Sequence, residues 1–132
     1  MTQAGSSNDM VGPLVGLRVL ELTGEHAQFC GKLMADLGAD VIKIEPPGGQ
    51  ETRNVGPFLN DEEHPERSLY FWHYNTSKRG VTLDITKPEG KEVFRRLSAT
   101  AGLILESFPA GYMPGLGLGY EDLSADNPGL IM

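Results

Sequence analysis

The sequence contains one cysteine, Cys30, so no internal disulfide can form, and nothing in it reads as a small secreted scaffold. Basic residues are scarce: 11 Lys and Arg stand against 18 Asp and Glu, for a formal net charge of −7. That balance argues against a general nucleic-acid binder, which needs cations to neutralise phosphates, but it is compatible with a local basic patch for one anionic ligand. The three histidines, His26, His64 and His73, show no metal-ligand spacing, and a lone cysteine cannot complete a zinc site, so no metal is expected. No apolar run approaches the roughly 20 residues that span a bilayer. Residues 1–12 lack the basic start and apolar stretch of a signal peptide. The expectation is a cytoplasmic protein with neither nucleic acid nor membrane as partner. Phosphate-binding signatures are missing too: there is no Walker sequence, and no G-x-G-x-x-G follows the first apolar segment. The run Gly115-Leu116-Gly117-Leu118-Gly119 lacks the strand-to-helix setting such a loop requires, and no G-x-S-x-G marks a nucleophile elbow.

What is present suits one soluble domain, with 39% hydrophobic and 22% charged residues over 132 positions. The organising stretch is Gly16 to Arg53. Gly16-Leu17-Arg18-Val19-Leu20-Glu21-Leu22 is short, apolar and followed closely by Gly24, as a buried strand would be. From Glu25 to Leu37, apolar residues recur at Ala27, Cys30, Leu33, Met34 and Leu37, the spacing of one helical face. On that face Cys30 reads as a packed, inert thiol. Gly38 can take the left-handed conformation that closes a helix. Asp40 to Glu45 is a second strand, and Pro46-Pro47-Gly48-Gly49 turns the chain away from it. Strand, crossover helix and strand form a right-handed unit with parallel pairing, and ligands of such sheets sit where strand ends meet helix starts.

Residues 1–12 form a polar lead-in and 13–132 the domain. A long loop at 46–67 precedes an aromatic segment, Ser68 to Asn75, read as a helix capped by Ser68, with Phe71 and Trp72 as core rings. Val81 to Ile85 reads as a strand. Thr86, Pro88 and Glu89 have the spacing of a helix start with a capping box, and Val93, Phe94 and Leu97 would face inward. Gly102 to Glu106 is a further strand, Tyr120 to Asp126 a short helix, and Gly129 to Met132 the start of an apolar strand at which the sequence stops, which suggests a fragment. The alternation makes the fold α/β with a mostly parallel sheet. Arg53, Lys78 and Arg79 fall in turns where an anion could sit, although solvated surface charge is the plainer account from spacing alone. Glu21, Glu45, Asp84 and Glu106 end strands or lie within them, and spacing selects no catalytic acid among these carboxylates.

Read together, these segments resemble a known family. Leu14 to Leu22, Leu33 to Gly49, Asn75-Thr76-Ser77-Lys78-Arg79-Gly80-Val81-Thr82-Leu83-Asp84, Pro88-Glu89-Gly90, Leu103 to Phe108, Leu116 to Leu123 and Asn127 to Ile131 are similar in order and content to the start of a family III CoA-transferase. This group includes formyl-CoA transferase, carnitine CoA-transferase and α-methylacyl-CoA racemase. The resemblance implies a Rossmann-like sheet flanked by helices, CoA thioesters and carboxylic acids as ligands, and a homodimer. It also implies CoA contacts from Glu25, His26 and Ala27, from the segment Pro46 to Arg53, from Leu83, Asp84, Ile85 and Thr86, and from Ser107, Phe108 and Pro109. The family's transferases form a mixed anhydride on an aspartate that would follow Met132, so the 132-residue chain itself is expected to be inactive. A racemase of the same family, or a non-catalytic CoA-binding module, are the alternatives to a transferase.

Overall fold

The computed structural model describes residues 12–132; the lead-in at 1–12 lies, but for Gly12, outside the described residues. Its centre is a four-stranded sheet of β1 (Arg18–Leu22), β2 (Asp40–Glu45), β3 (Arg79–Thr82) and β4 (Leu103–Glu106) in the order β3-β2-β1-β4, with every pairing parallel. That is the order 3-2-1-4 of doubly wound folds, with a reversal of winding between β1 and β4. Ile131 extends the outer edge by one parallel bridge to Leu103, where a strand was read from Gly129.

Side chains that alternate along the strands build two layers. Leu20, Leu22, Ile42 and Ile44 pack on one face against Phe94 of α3 (Pro88–Ser98), Met113 of α4 (Tyr112–Gly115) and Leu123 of α5 (Tyr120–Ser124). Val19 and Val41 pack on the other face against Ala35 of α1 (Gln28–Asp36), and α2 (Leu69–Asn75) lies beside α1. Gly38 closes α1 with a φ of +98°, the left-handed conformation expected of it. Ser68 caps α2: its Oγ accepts the Phe71 N–H at 3.0 Å.

Several sequence expectations are corrected. The buried residues of α1 are Gln28, Gly31 and Ala35, whereas Phe29, Leu33 and Leu37 are about half exposed and Cys30 is exposed rather than packed. The reason lies beneath the helix. The carboxylate of Glu21 fills the space between strand and helix, and a Cβ on Gly31 would meet its Oε2 at 1.7 Å. A helix over a buried charge needs its small and polar side inward, so its most apolar stripe turns outward. Phe71 is buried, but Trp72 is 45% exposed: one residue further along α2, it projects about 100° around the helix from Phe71. Thr86 does not cap α3: Lys87 occupies that position, and the Thr86 hydroxyl donates to Asp84 Oδ1 at 2.6 Å. Within α3, Phe94 and the half-buried Leu97 face the core, while Val93 is exposed. β3 begins two residues earlier than the apolar run suggests and ends at Thr82, after which residues 83–86 leave the sheet.

Candidate functional site

Because all four strands run the same way, the segments that follow them gather at one end of the sheet. A hollow of about 430 Å³ opens there. Leu22, Ile44 and Ile85 form its floor, each part of the larger core cluster. Phe108 and Tyr112 make one wall, with ring centroids 4.6 Å apart and planes inclined by 34°. Pro46, Gln50, Glu51, Leu83, Asp84 and Thr86 complete the lining. An apolar floor and aromatic wall with a few polar groups at the rim are the usual make-up of a small-molecule site.

The rim is tied down by local hydrogen bonds. Asp84 Oδ1 accepts the Thr86 N–H at 3.0 Å in addition to the hydroxyl, and these two bonds, the hydroxyl's first, hold the Asp84 carboxyl below its ordinary range. The Phe108 N–H donates to Glu106 Oε2 at 2.6 Å, and the Gly24 N–H donates to Ser107 Oγ at 3.1 Å, which joins the corner after β1 to the corner after β4. The loop after β2 turns at Pro46–Gly49, where Gly48 and Gly49 have φ of +93° and +82°. Glu45 anchors the loop's return: its carboxylate accepts the Gln50 N–H at 3.0 Å and both arms of the Arg53 guanidinium at 2.6 and 2.7 Å. Burial pushes the Glu45 carboxyl up, but the Arg53 fork and the Gln50 N–H outweigh it and leave the group below its ordinary range. The Arg53 guanidinium also lies 3.9 Å from the centre of the Phe71 ring.

A second, smaller hollow of about 160 Å³ lies against β2 and β3, lined by Lys43, Glu45, Arg53, Phe71, Asn75, Lys78, Arg79 and Gly80. Behind it is a buried ion cluster. Glu21 Oε1 accepts from Lys43 Nζ at 2.9 Å, Lys78 Nζ at 3.0 Å and Thr23 Oγ1 at 2.9 Å, and Lys78 Nζ is 2.8 Å from Oε2. Lys78 also donates to the Gln28 carbonyl at 2.8 Å and to Asn75 Oδ1 at 2.9 Å; Lys43 donates to the Thr23 carbonyl at 2.7 Å. Desolvation pulls the Lys78 ammonium below its ordinary range, and Glu21 opposes that pull.

Eight of the residues proposed from sequence therefore meet around one hollow: Pro46, Gln50 and Glu51 of the segment after β2, with Leu83, Asp84, Ile85, Thr86 and Phe108. Ser107 stands beside it through its bond to Gly24. Glu25, His26 and Ala27 form the turn into α1 and Pro109 is exposed beyond Phe108; none of these four is part of the lining. Arg53, Lys78 and Arg79 belong to the smaller hollow, with Lys78 committed to Glu21 and Arg79 to Asp40 at 2.7 Å. Leu22, Ile44 and Tyr112 were not proposed. The first two were legible as the last apolar residues of their strands, and Tyr112 as a ring in a glycine- and proline-rich segment.

Among the described residues there is no group of three or more His, Cys, Asp or Glu side chains suited to a metal, and no helix long and apolar enough to cross a membrane.

Comparison with known proteins decides the family. The sequence pattern of CoA-transferase family III matches residues 14–132. The chain belongs to CoA-transferase family III. It is 45% identical over 114 residues to the succinyl-CoA:(R)-benzylsuccinate CoA-transferase subunit BbsE of Thauera aromatica, covering 86% of this chain and 28% of that protein. With the succinyl-CoA:mesaconate CoA-transferase of Haloarcula hispanica the identity is 42% over 122 residues, 92% of this chain and 31% of the relative. Among solved structures, a CAIB/BAIF family protein from Brucella suis superposes with a TM-score of 0.81 at 42% identity, over 91% of this chain and 32% of that one. The family member therefore spans less than a third of the length of these curated relatives.

Proposed function

We propose that the larger hollow holds the CoA portion of an acyl-CoA, and that the protein is the CoA-binding part, residues 13–132, of a transferase that moves CoA from an acyl-CoA donor to a carboxylic acid. The observation that carries this reading is the convergence of the segments after β2, β3 and β4 with the end of β1 on one cavity, within a chain that belongs to a CoA-transferase family. The chemistry of the lining supports it. Phe108 and Tyr112 offer faces for an adenine ring, and Leu22, Ile44, Leu83 and Ile85 offer an apolar bed for a pantetheine arm.

In this proposal Ser107 steadies the corners, while Glu25, His26 and Ala27, and Arg53, stand at segments that a long ligand reaches outside the hollow. The reactive group would be an aspartate contributed by polypeptide following Met132. Its carboxylate would attack the thioester carbonyl, expel the CoA thiolate and hold the acyl group as an anhydride, which splits acyl transfer into two easier steps. A homodimer and a cytoplasmic location belong to the same proposal.

Calorimetric titration of the chain with CoA and with NAD tests it. CoA is expected to bind with one-site stoichiometry and NAD at least tenfold more weakly, a difference of about 1.4 kcal/mol or more. A preference for NAD, or no binding of CoA, overturns the reading.

A further inference from the structure

The turn between β1 and α1 (residues 23–27) is gripped at both ends by ammonium groups from distant parts of the chain. Lys43 of β2 donates to the Thr23 carbonyl at 2.7 Å, and Lys78, just before β3, donates to the Gln28 carbonyl at 2.8 Å. Both also bind the Glu21 carboxylate, Lys43 at 2.9 Å and Lys78 at 2.8 Å. The middle of the same turn meets the larger hollow on two sides. The Gly24 N–H donates to Ser107 Oγ at 3.1 Å, next to Phe108 of the wall. A Cβ placed on Gly24 would lie 3.6 Å from Oε1 of Glu51, which lines the hollow from the loop after β2. The turn also sits where the winding of the sheet reverses between β1 and β4, the place at which doubly wound folds take their ligands.

The charge count sets this cluster apart from an ordinary buried ion pair. Two ammonium groups face one carboxylate, and Glu45, whose charge also reaches Lys43, is taken up by the Arg53 fork. One lysine would balance Glu21. Burial, and after it the like charges of Lys43 and Lys32, weigh against the Lys78 ammonium. An excess charge in a buried cluster is a cost to the fold, and such costs gather where function needs a fixed geometry. What the second lysine adds is its hold on Gln28, with a bond to Asn75 Oδ1 at 2.9 Å that ties the turn to the end of α2.

We infer that Lys78 is a positioning residue of the larger hollow. By fixing the Gln28 carbonyl against Glu21 it sets the turn after β1, and through Gly24 it sets the corners that carry Glu51 and Ser107. The consequence for ligand binding rests on the CoA reading above.

The test is Lys78→Met in the 132-residue chain, which leaves Glu21 and Lys43 as a neutral pair, so cooperative urea unfolding is expected to persist. The amide signals of Gly24, Ser107 and Phe108 are expected to move in the ligand-free variant, and its CoA dissociation constant by calorimetry to rise about fivefold or more. A smaller rise, or amide signals at the parent positions, overturns the inference and leaves the CoA reading intact. Lys32→Ala is the control, because Lys32 also joins α1 to the end of α2, through Asp36 at 2.8 Å and Thr76 at 2.6 Å. Its CoA affinity is expected within about twofold of the parent's, and a loss equal to that of Lys78→Met overturns the inference. Should Lys78→Met not fold, Ser107→Ala cuts the same linkage at its far end without touching the buried charges. Its CoA dissociation constant is expected to rise about threefold or more, and a parent-like value overturns the inference. Failure of the parent chain to bind CoA overturns the CoA reading, and this inference with it.

Discussion

Replacing Glu21 with glutamine is expected to cost about 3–5 kcal/mol of stability, because it leaves two buried ammonium groups facing no counter-charge. The substitution keeps the shape of the side chain and removes its charge. Glu21 is fully buried, Lys43 is 2% exposed, and the Lys78 side chain is 1% exposed, so solvent cannot take over the role of the carboxylate. A domain of ordinary stability has about 5–15 kcal/mol in total, so the variant is expected to be largely unfolded or to melt at much lower denaturant. Urea unfolding followed by circular dichroism measures the loss. The network also predicts its own rescue. Adding Lys43→Met and Lys78→Met to the Glu21→Gln chain should recover much of the lost stability, since a neutral core of similar volume carries no desolvation penalty. A loss under about 1 kcal/mol for Glu21→Gln alone would show that water reaches the cluster and that the charges are not interdependent.

The second large effect is expected at Gly90. A Cβ there would lie 1.8 Å from the Asp84 carbonyl oxygen and 2.6 Å from its carbon, so the first turn of α3 rests directly on the backbone at the rim of the larger hollow. Backbone cannot step aside as a side-chain tip can. Gly90→Ala is therefore expected to reach or exceed the upper end of overpacking costs, about 3 kcal/mol, despite the roughly 1 kcal/mol that alanine gains over glycine in helix propensity. Because the displaced segment carries Leu83, Asp84, Ile85 and Thr86, CoA binding should fall in whatever fraction remains folded. Gly115, in α4, is the control: nothing lies within 4 Å of its Cβ position, and Gly115→Ala should stay within about 0.5 kcal/mol of the parent. Equal melting of the two variants would contradict the close packing of α3 on the rim.

These two sites also show where reading the sequence succeeds and where it stops. Periodicity, glycine stops and caps are local, and they were legible: the strands of the βαβ unit, the positive φ of Gly38 and the Ser68 cap follow from a few neighbouring residues. The parallel order then follows from crossover connections, which is why the corners after Glu45, Thr82 and Glu106 could be placed at one end of the sheet. Burial of charge is not local. Glu21 and Lys43 looked like polar residues in or at the ends of strands, and only the convergence of Lys78 from 57 residues away makes a closed cluster of them. That cluster dictates a small, polar underside for α1, which turns Cys30, Leu33 and Leu37 of the expected face outward while Met34 still packs on the core. At the hollow, the residues after the strands were legible as a set. The split between them was not: spacing left Arg53, Lys78 and Arg79 between an anion site and solvated surface charge, and the fold assigns each of them a carboxylate. Tyr112 entered the wall only through its stacking on Phe108.

The most direct measurement of the central claim is a backbone amide map of the chain titrated with CoA by two-dimensional NMR. The account predicts that shifts cluster on residues 48–51, 83–86, 106–108 and 111–112, which surround one hollow although they are far apart in sequence, while the exposed stripe at Phe29, Leu33 and Leu37 stays still. Shifts gathered on that stripe or on Trp72, with those four stretches unmoved, would contradict it.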